Sequence, residues 1–399
     1  MSDTSAPLPG GIEASLRERI VRLTNFLDQD RANDSLRQEL FDCLLTAREF
    51  EQARQIADEA WREGRSPAWQ YRRAVAARLN GQAAEAVADL RNLVGAGIHE
   101  LSVVLELARA EVDAGDAVSA AQRLGAIDVP GMPLELAESV MVTLVPALMA
   151  TGALAKAIAL CQQFLTRHPG SGKVMGMLGT ALLDAEQLDD ARALVEASDR
   201  AGILDPNLST VAGFVDVAAG RVVRARERFG ETLRVAPSVG RAHLGMGLVC
   251  AYDNELAAAR RSFSTAVSIM PTHLGSWHAL AWIQLLQDDL PAAEATFMQA
   301  MAQDHNFGDT HGGLAIVAAL RGQQTSAQEH IRTGKRLDRF SVNVGVAEAI
   351  LAQPGGLHSA DTLRRAFETF QRNTLARSPA MQTSFSRLLA NQFARRSQH

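Results

Sequence analysis

Residues 274–304 read LGSWHALAWIQLLQDDLPAAEATFMQAMAQD. Ala, Leu, Gln and Met favour helix, and the stretch is read as two helical segments. Ala281 on the first lies twelve residues before Ala293 on the second, and Phe297 follows Ala293 by four. A helix, a tight turn and a second helix packed back on the first are the predicted unit.

Worked outward, Ala293 is one of a series: Ala53, Ala86, Ala120, Ala157, Ala191, Ala225, Ala259, Ala293 and Ala327, at intervals of 33, 34, 37, 34, 34, 34, 34 and 34. A fixed period of this length marks a repeat array, each unit burying its apolar face on its neighbours. Twelve residues before the anchor stands a small residue, Gly179, Gly213, Gly247, Ala281 or Ala315, expected to face the anchor alanine. Five before it come Gly81, Gly115, Gly152, Gly220, Asn254 and Gly322, which end a helix at little steric cost. Four after it, Phe229, Phe263 and Phe297 fill the gap between units. Twelve after it, Pro169, Pro237 and Pro271 stop the second helix.

With Trp277, Leu280 and Ala281 followed by Ala293, Phe297 and Ala300, the chain resembles the tetratricopeptide repeat family, whose W-x2-L-G and A-x3-F patterns these residues follow with Ala for Gly. Gln284 stands where the family prefers tyrosine, and His305 replaces the closing proline. The resemblance spans residues 34–338 as nine units, the last six clearest. It implies an all-α, right-handed superhelical solenoid with N- and C-terminal capping helices. It also implies first helices that line a concave, ligand-holding face. It is specific for architecture and nearly silent about function.

Four segments are expected: a polar N-terminus and capping helix (1–33), repeats one to three (34–133), repeats four to nine (134–340) and C-terminal capping helices with a basic tail (341–399). Ile12, Leu16, Ile20, Leu23 and Leu27 give the first cap its apolar stripe. Pro130, Gly131 and Pro133 account for the 37-residue interval, and Pro146 falls inside the next first helix, where it kinks a continuous array or marks a hinge. Past Asp338 the period is read as lost. A short apolar helix near Val342–Ala352 is expected, then amphipathic ones carrying Leu363, Phe367 and Phe370, and Met381, Phe385, Leu388, Leu389 and Phe393. Arg364, Arg365, Arg372, Arg377, Arg387, Arg395 and Arg396 make this tail basic, either as a solvated cap or as a docking element for an acidic partner or anionic lipid.

A net charge of −5 gives no reason to expect nucleic acid, and no apolar run is long enough for a membrane span. Cys43, Cys161 and Cys250 are too scattered for a disulfide framework or zinc site, which fits a cytoplasmic location. No phosphate loop, nucleophile elbow or metalloprotease motif occurs; Gly308, Gly312 and Gly313 lack the preceding strand of a dinucleotide loop. No catalytic residue, cofactor or metal is therefore expected. His243, His273, His278, His305 and His311 crowd the last three units, and first-helix neighbours should come close. No nearby Cys or clear acid completes a tetrahedral metal set, so packing or groove roles are expected.

The residue eleven before each anchor is turned about 100° from the packed small residue and should face the groove. In units six to nine these are Phe214, Leu248, Trp282 and Ile316, flanked by Val217, Leu244, Tyr252, His278, Leu285, Leu286 and Leu320. In the family, a clamp for C-terminal carboxylates uses Lys, Asn and Arg at such places; it is missing here, and a hydrophobic or amphipathic helix suits the stripe better. Alternatively, first helices pack on one another, or the C-terminal helices fill the groove. The expected function is a non-catalytic scaffold or chaperone-like adaptor for a protein or peptide. The competing readings are a regulatory or recruiting arm of a separate enzyme or secretion or assembly machine, and an enzyme built on the histidine-rich units. Self-association stays open.

Overall fold

The computed structural model describes residues 10–352 together with 362, 363, 365 and 366; the tail residues Phe367, Phe370, Met381, Phe385, Leu388, Leu389 and Phe393 lie outside them. The described residues are helical throughout, without a strand. After α1 (Gly10–Gln29) come α2 (Asp34–Thr46), α3 (Phe50–Gly64), α4 (Pro67–Leu79), α5 (Ala83–Gly95), α6 (Leu101–Asp113) and α7 (Ala117–Gly125). There follow α8 (Leu134–Ala150), α9 (Leu154–Arg167), α10 (Gly172–Asp184), α11 (Leu188–Ala201), α12 (Pro206–Ala218) and α13 (Val222–Val235). The rest are α14 (Gly240–Tyr252), α15 (Leu256–Ile269), α16 (Leu274–Leu286), α17 (Leu290–Gln303), α18 (Gly308–Leu320), α19 (Gln324–Leu337) and α20 (Val342–Leu351). Helices α2 to α19 form nine helix–turn–helix pairs, the all-α repeat array that the period implies. The chain divides into two compact units, residues 1–208 and 209–399.

One backbone device recurs in every pair. The residue five before the anchor lies in the left-handed region: Gly81, Gly115, Gly152, Gly220 and Gly322 at φ between +72° and +84°, with Arg48, Glu186, Asn254 and Asp288 doing the same at +59° to +63°. Such a residue ends the first helix and turns the chain into the second. All nine anchor alanines are wholly buried.

The small residues face a different partner from the one expected. A Cβ added to Gly213 would stand 2.5 Å from the Phe229 ring, and one on Gly247 equally close to Phe263. The ring four after the anchor, not the anchor itself, needs that space. Two of the rings also press on the following first helix, where Gly245 receives Phe229 and Gly313 receives Phe297. Phe229, Phe263 and Phe297 are each 0% exposed, so one residue ties both helices of its pair to the next pair.

In the N-terminal unit, α1 covers the first pair: Leu23 is buried, with Leu16, Ile20 and Leu27 half-buried against Leu40 and Phe41. The unit relies heavily on paired charges. Glu111 is 0% exposed and accepts from Arg91 and Arg123, and Asp89 is chelated by Arg73, whose guanidinium stacks on Trp61. The long interval holds a 3-10 turn, Val129–Gly131, and α8 runs on through Pro146.

In the C-terminal unit the period persists beyond Asp338, contrary to the sequence reading. Helix α20 starts 34 residues after α18, as α18 does after α16. Ser341 caps it, and Asp309 accepts from Ser341 Oγ and the Asn343 N–H. Leu363 and Ala366 are wholly buried in the same core. Ala366 stands four before Phe370 in sequence, the repeat's own spacing, after a longer connection.

Candidate functional site

The predicted stripe lies on the first helices of the C-terminal unit, but its residues are packed rather than open. Ile316 is 0% exposed and Trp282 2%, and Val217, Leu244, Leu248, His278, Leu285, Leu286 and Leu320 are all buried; only Phe214 and Tyr252 are half-buried. Trp282 donates its indole N–H to Asn343 Oδ1 at 3.1 Å, linking α16 to α20. Phe214 meets Phe229 edge-on at 5.2 Å between centroids. Among the described residues, the stripe therefore offers little open apolar surface. The burial is what either alternative expects, first helices packing on one another or C-terminal helices filling the groove.

The same register in the N-terminal unit gives a different surface. Eleven before the anchors stand Asp42, Val75, Arg109, Pro146 and Thr180, all half-buried or exposed. Val142 on α8 is 44% exposed, and Tyr71 and Met149 are half-buried. Glu106, 3% exposed, organises the charges here: it accepts from Arg78 Nε at 2.6 Å and from Arg109 Nη1 at 3.3 Å. Arg78 also reaches Asp113 at 3.1 Å. Burial, and secondarily the nearby Glu106 carboxylate, push the Tyr71 phenol above its usual range, so it stays a neutral donor. The Arg109 side chain is 39% exposed. The face thus combines an anchored cation, a hydroxyl and aliphatic ground.

The histidines do not gather as expected. His243 and His311 each reach a carbonyl six residues back, Pro237 O at 2.8 Å and His305 O at 3.2 Å, as Trp277 does with Pro271 O at 2.7 Å. They close their own preceding loops. His278 is buried between Phe297 and Phe307, with Nε2 2.9 Å from Thr310 Oγ1, and burial lowers its pKa to about 4. His273 caps α16. His311 meets a residue absent from the sequence reading, His330 on α19, Nδ1 to Nδ1 at 3.3 Å. Cys43, Cys161 and Cys250 are buried, and burial pushes the Cys161 thiol up to about 12, far from a nucleophile's range. No described helix is long and apolar enough to cross a membrane.

Family models described as tetratricopeptide repeat match residues 148–208 and 215–273. These matches lie within nine helix pairs that turn at one position, three of which pack on a phenylalanine four after the anchor. The chain carries tetratricopeptide repeats. Among solved structures, a human IFIT1 dimer with PPP-AAAA aligns at TM-score 0.54 and 14% identity, covering 99% of this chain and 97% of that one. An APC/C hetero-tetramer, Cut9–Hcn1, aligns at 0.52 and 13%, covering 95% and 87%. At such identities the likeness is one of fold. No curated protein matches the sequence. Tetratricopeptide repeats indicate a protein-interaction scaffold, a fold that is typically non-catalytic.

Proposed function

We propose that the chain is a non-catalytic scaffold that holds a partner polypeptide on the inner face of α4, α6 and α8. One observation carries this reading: a single register leaves Val75, Arg109, Pro146 and Thr180 partly exposed in the N-terminal unit and, Phe214 apart, buries Leu248, Trp282 and Ile316 in the other. The partner segment that fits places a carboxylate against Arg109 and aliphatic side chains on Val142, Pro146 and Met149. The C-terminal stripe then serves as a packed seam that stiffens the array, and Trp282 is structural.

A photo-crosslinking residue at position 142 of the full chain tests this, with one at Val223, 75% exposed on α13, as the control. A partner captured from 142 and lost on Arg109→Glu supports the reading. Capture from 223 alone contradicts it. If the captured partner is an enzyme, the chain is a recruiting arm; a structural client makes it an adaptor.

A further inference from the structure

His311 on α18 and His330 on α19 are both half-buried, with ring centroids 5.6 Å apart and Nδ1 atoms 3.3 Å apart. A carbonyl only accepts, so the contact from His311 Nε2 to His305 O places the neutral ring's proton on Nε2 and leaves Nδ1 bare toward His330. Metal-ligating histidines are commonly held in this way, with the far nitrogen donating to a carbonyl. Nitrogen ligands at about 2.0–2.1 Å around a tetrahedral ion stand roughly 3.3–3.4 Å from each other. The observed separation matches.

We propose that His311 and His330 form a two-histidine site for a borderline divalent transition ion such as Zn2+. Both coordinate through Nδ1. His330, which donates its Nδ1 proton to His311 when no ion is bound, carries that proton on Nε2 instead, so the pair stays neutral. Among the described residues no third His, Cys, Asp or Glu joins them, so water fills the remaining positions and the site is open. The ion ties the start of α18 to the middle of α19, away from the Gly322 turn that joins them. His243 holds the equivalent place two pairs earlier, but the residue matching His330 there is Ser262, so the site belongs to the ninth pair alone.

Calorimetric titration of the full-length, tag-free chain with Zn2+ alone tests the assignment, with thermal midpoints recorded in parallel. The expected result is one ion per chain, a raised midpoint, and affinity about tenfold or more weaker in both His311→Gln and His330→Gln. His330→Gln is the decisive variant, because His311 also closes its own loop. His243→Gln should bind like the parent. Absence of binding, or binding that His243→Gln and His330→Gln reduce alike, overturns the proposal.

Discussion

At the scale of single residues, the turn position shows how far one backbone requirement governs the sequence. Five of its nine occupants are glycine, while Arg48, Glu186 and Asp288 carry a Cβ into left-handed space, at a cost of roughly 1–2 kcal/mol each. Glu186→Gly is therefore expected to stabilise the chain by about 1 kcal/mol in denaturant titration, and Gly220→Ala to destabilise it by a similar amount. Sequence reading found this position wherever glycine or asparagine marked it and missed it where a charged residue endures the strain. Trp282, anchor of the expected groove, is core, so Trp282→Ala should cost about 3–5 kcal/mol of stability. His278 adds a pH dependence. Its native pKa of about 4 lies below the ordinary 6.5, so the unfolded chain binds the extra proton between these values. Stability should then fall on acidification from pH 6.5 to 4, by on the order of 3 kcal/mol from this group. The loss should be smaller in His278→Gln.

Elements are held by polar fittings that periodicity does not announce. Helix α20 begins where the period requires, yet the anchor place 34 after Ala327 is Asp361, so the anchor series stops there. What fixes the helix is Asp309 from α18 and the Ser341 cap. Ser341→Ala should cost about 1 kcal/mol, seen as faster amide exchange confined to residues 342–351. In the N-terminal unit, Glu106 on α6 bridges to α4 through Arg78 and holds Arg109 on its own helix. Glu106→Ala leaves a largely buried Arg78 short of its closest acid, and a loss of about 3 kcal/mol is expected on thermal or chemical unfolding. Nothing in the repeat pattern singles out Glu106. Its role depends on two arginines, 28 residues before it and three after, meeting on one surface.

For the whole molecule, the legible part is the architecture. Anchor alanines, turn glycines and core phenylalanines each impose a steric requirement local to one pair, so they survive as a period. Whether a face is open was not legible, because that depends on how side chains on successive helices fill the space between them. Trp282, Ile316 and Leu248 look like ligand contacts by register and pack as a seam by size. Arg109, Val142 and Pro146 satisfy the same register rule and stay accessible. The direct measurement is thiol reactivity at matched positions. Cys43, Cys161 and Cys250 are buried and form a quiet background. Single cysteines introduced as Arg109→Cys, Val142→Cys, Leu248→Cys and Ile316→Cys in the full chain should separate cleanly. Positions 109 and 142 should be modified under native conditions at nearly the rate of an unfolded control, and 248 and 316 only on unfolding. Fast modification at 248 and 316 with protection at 109 and 142 would contradict an open N-terminal face and a closed C-terminal seam.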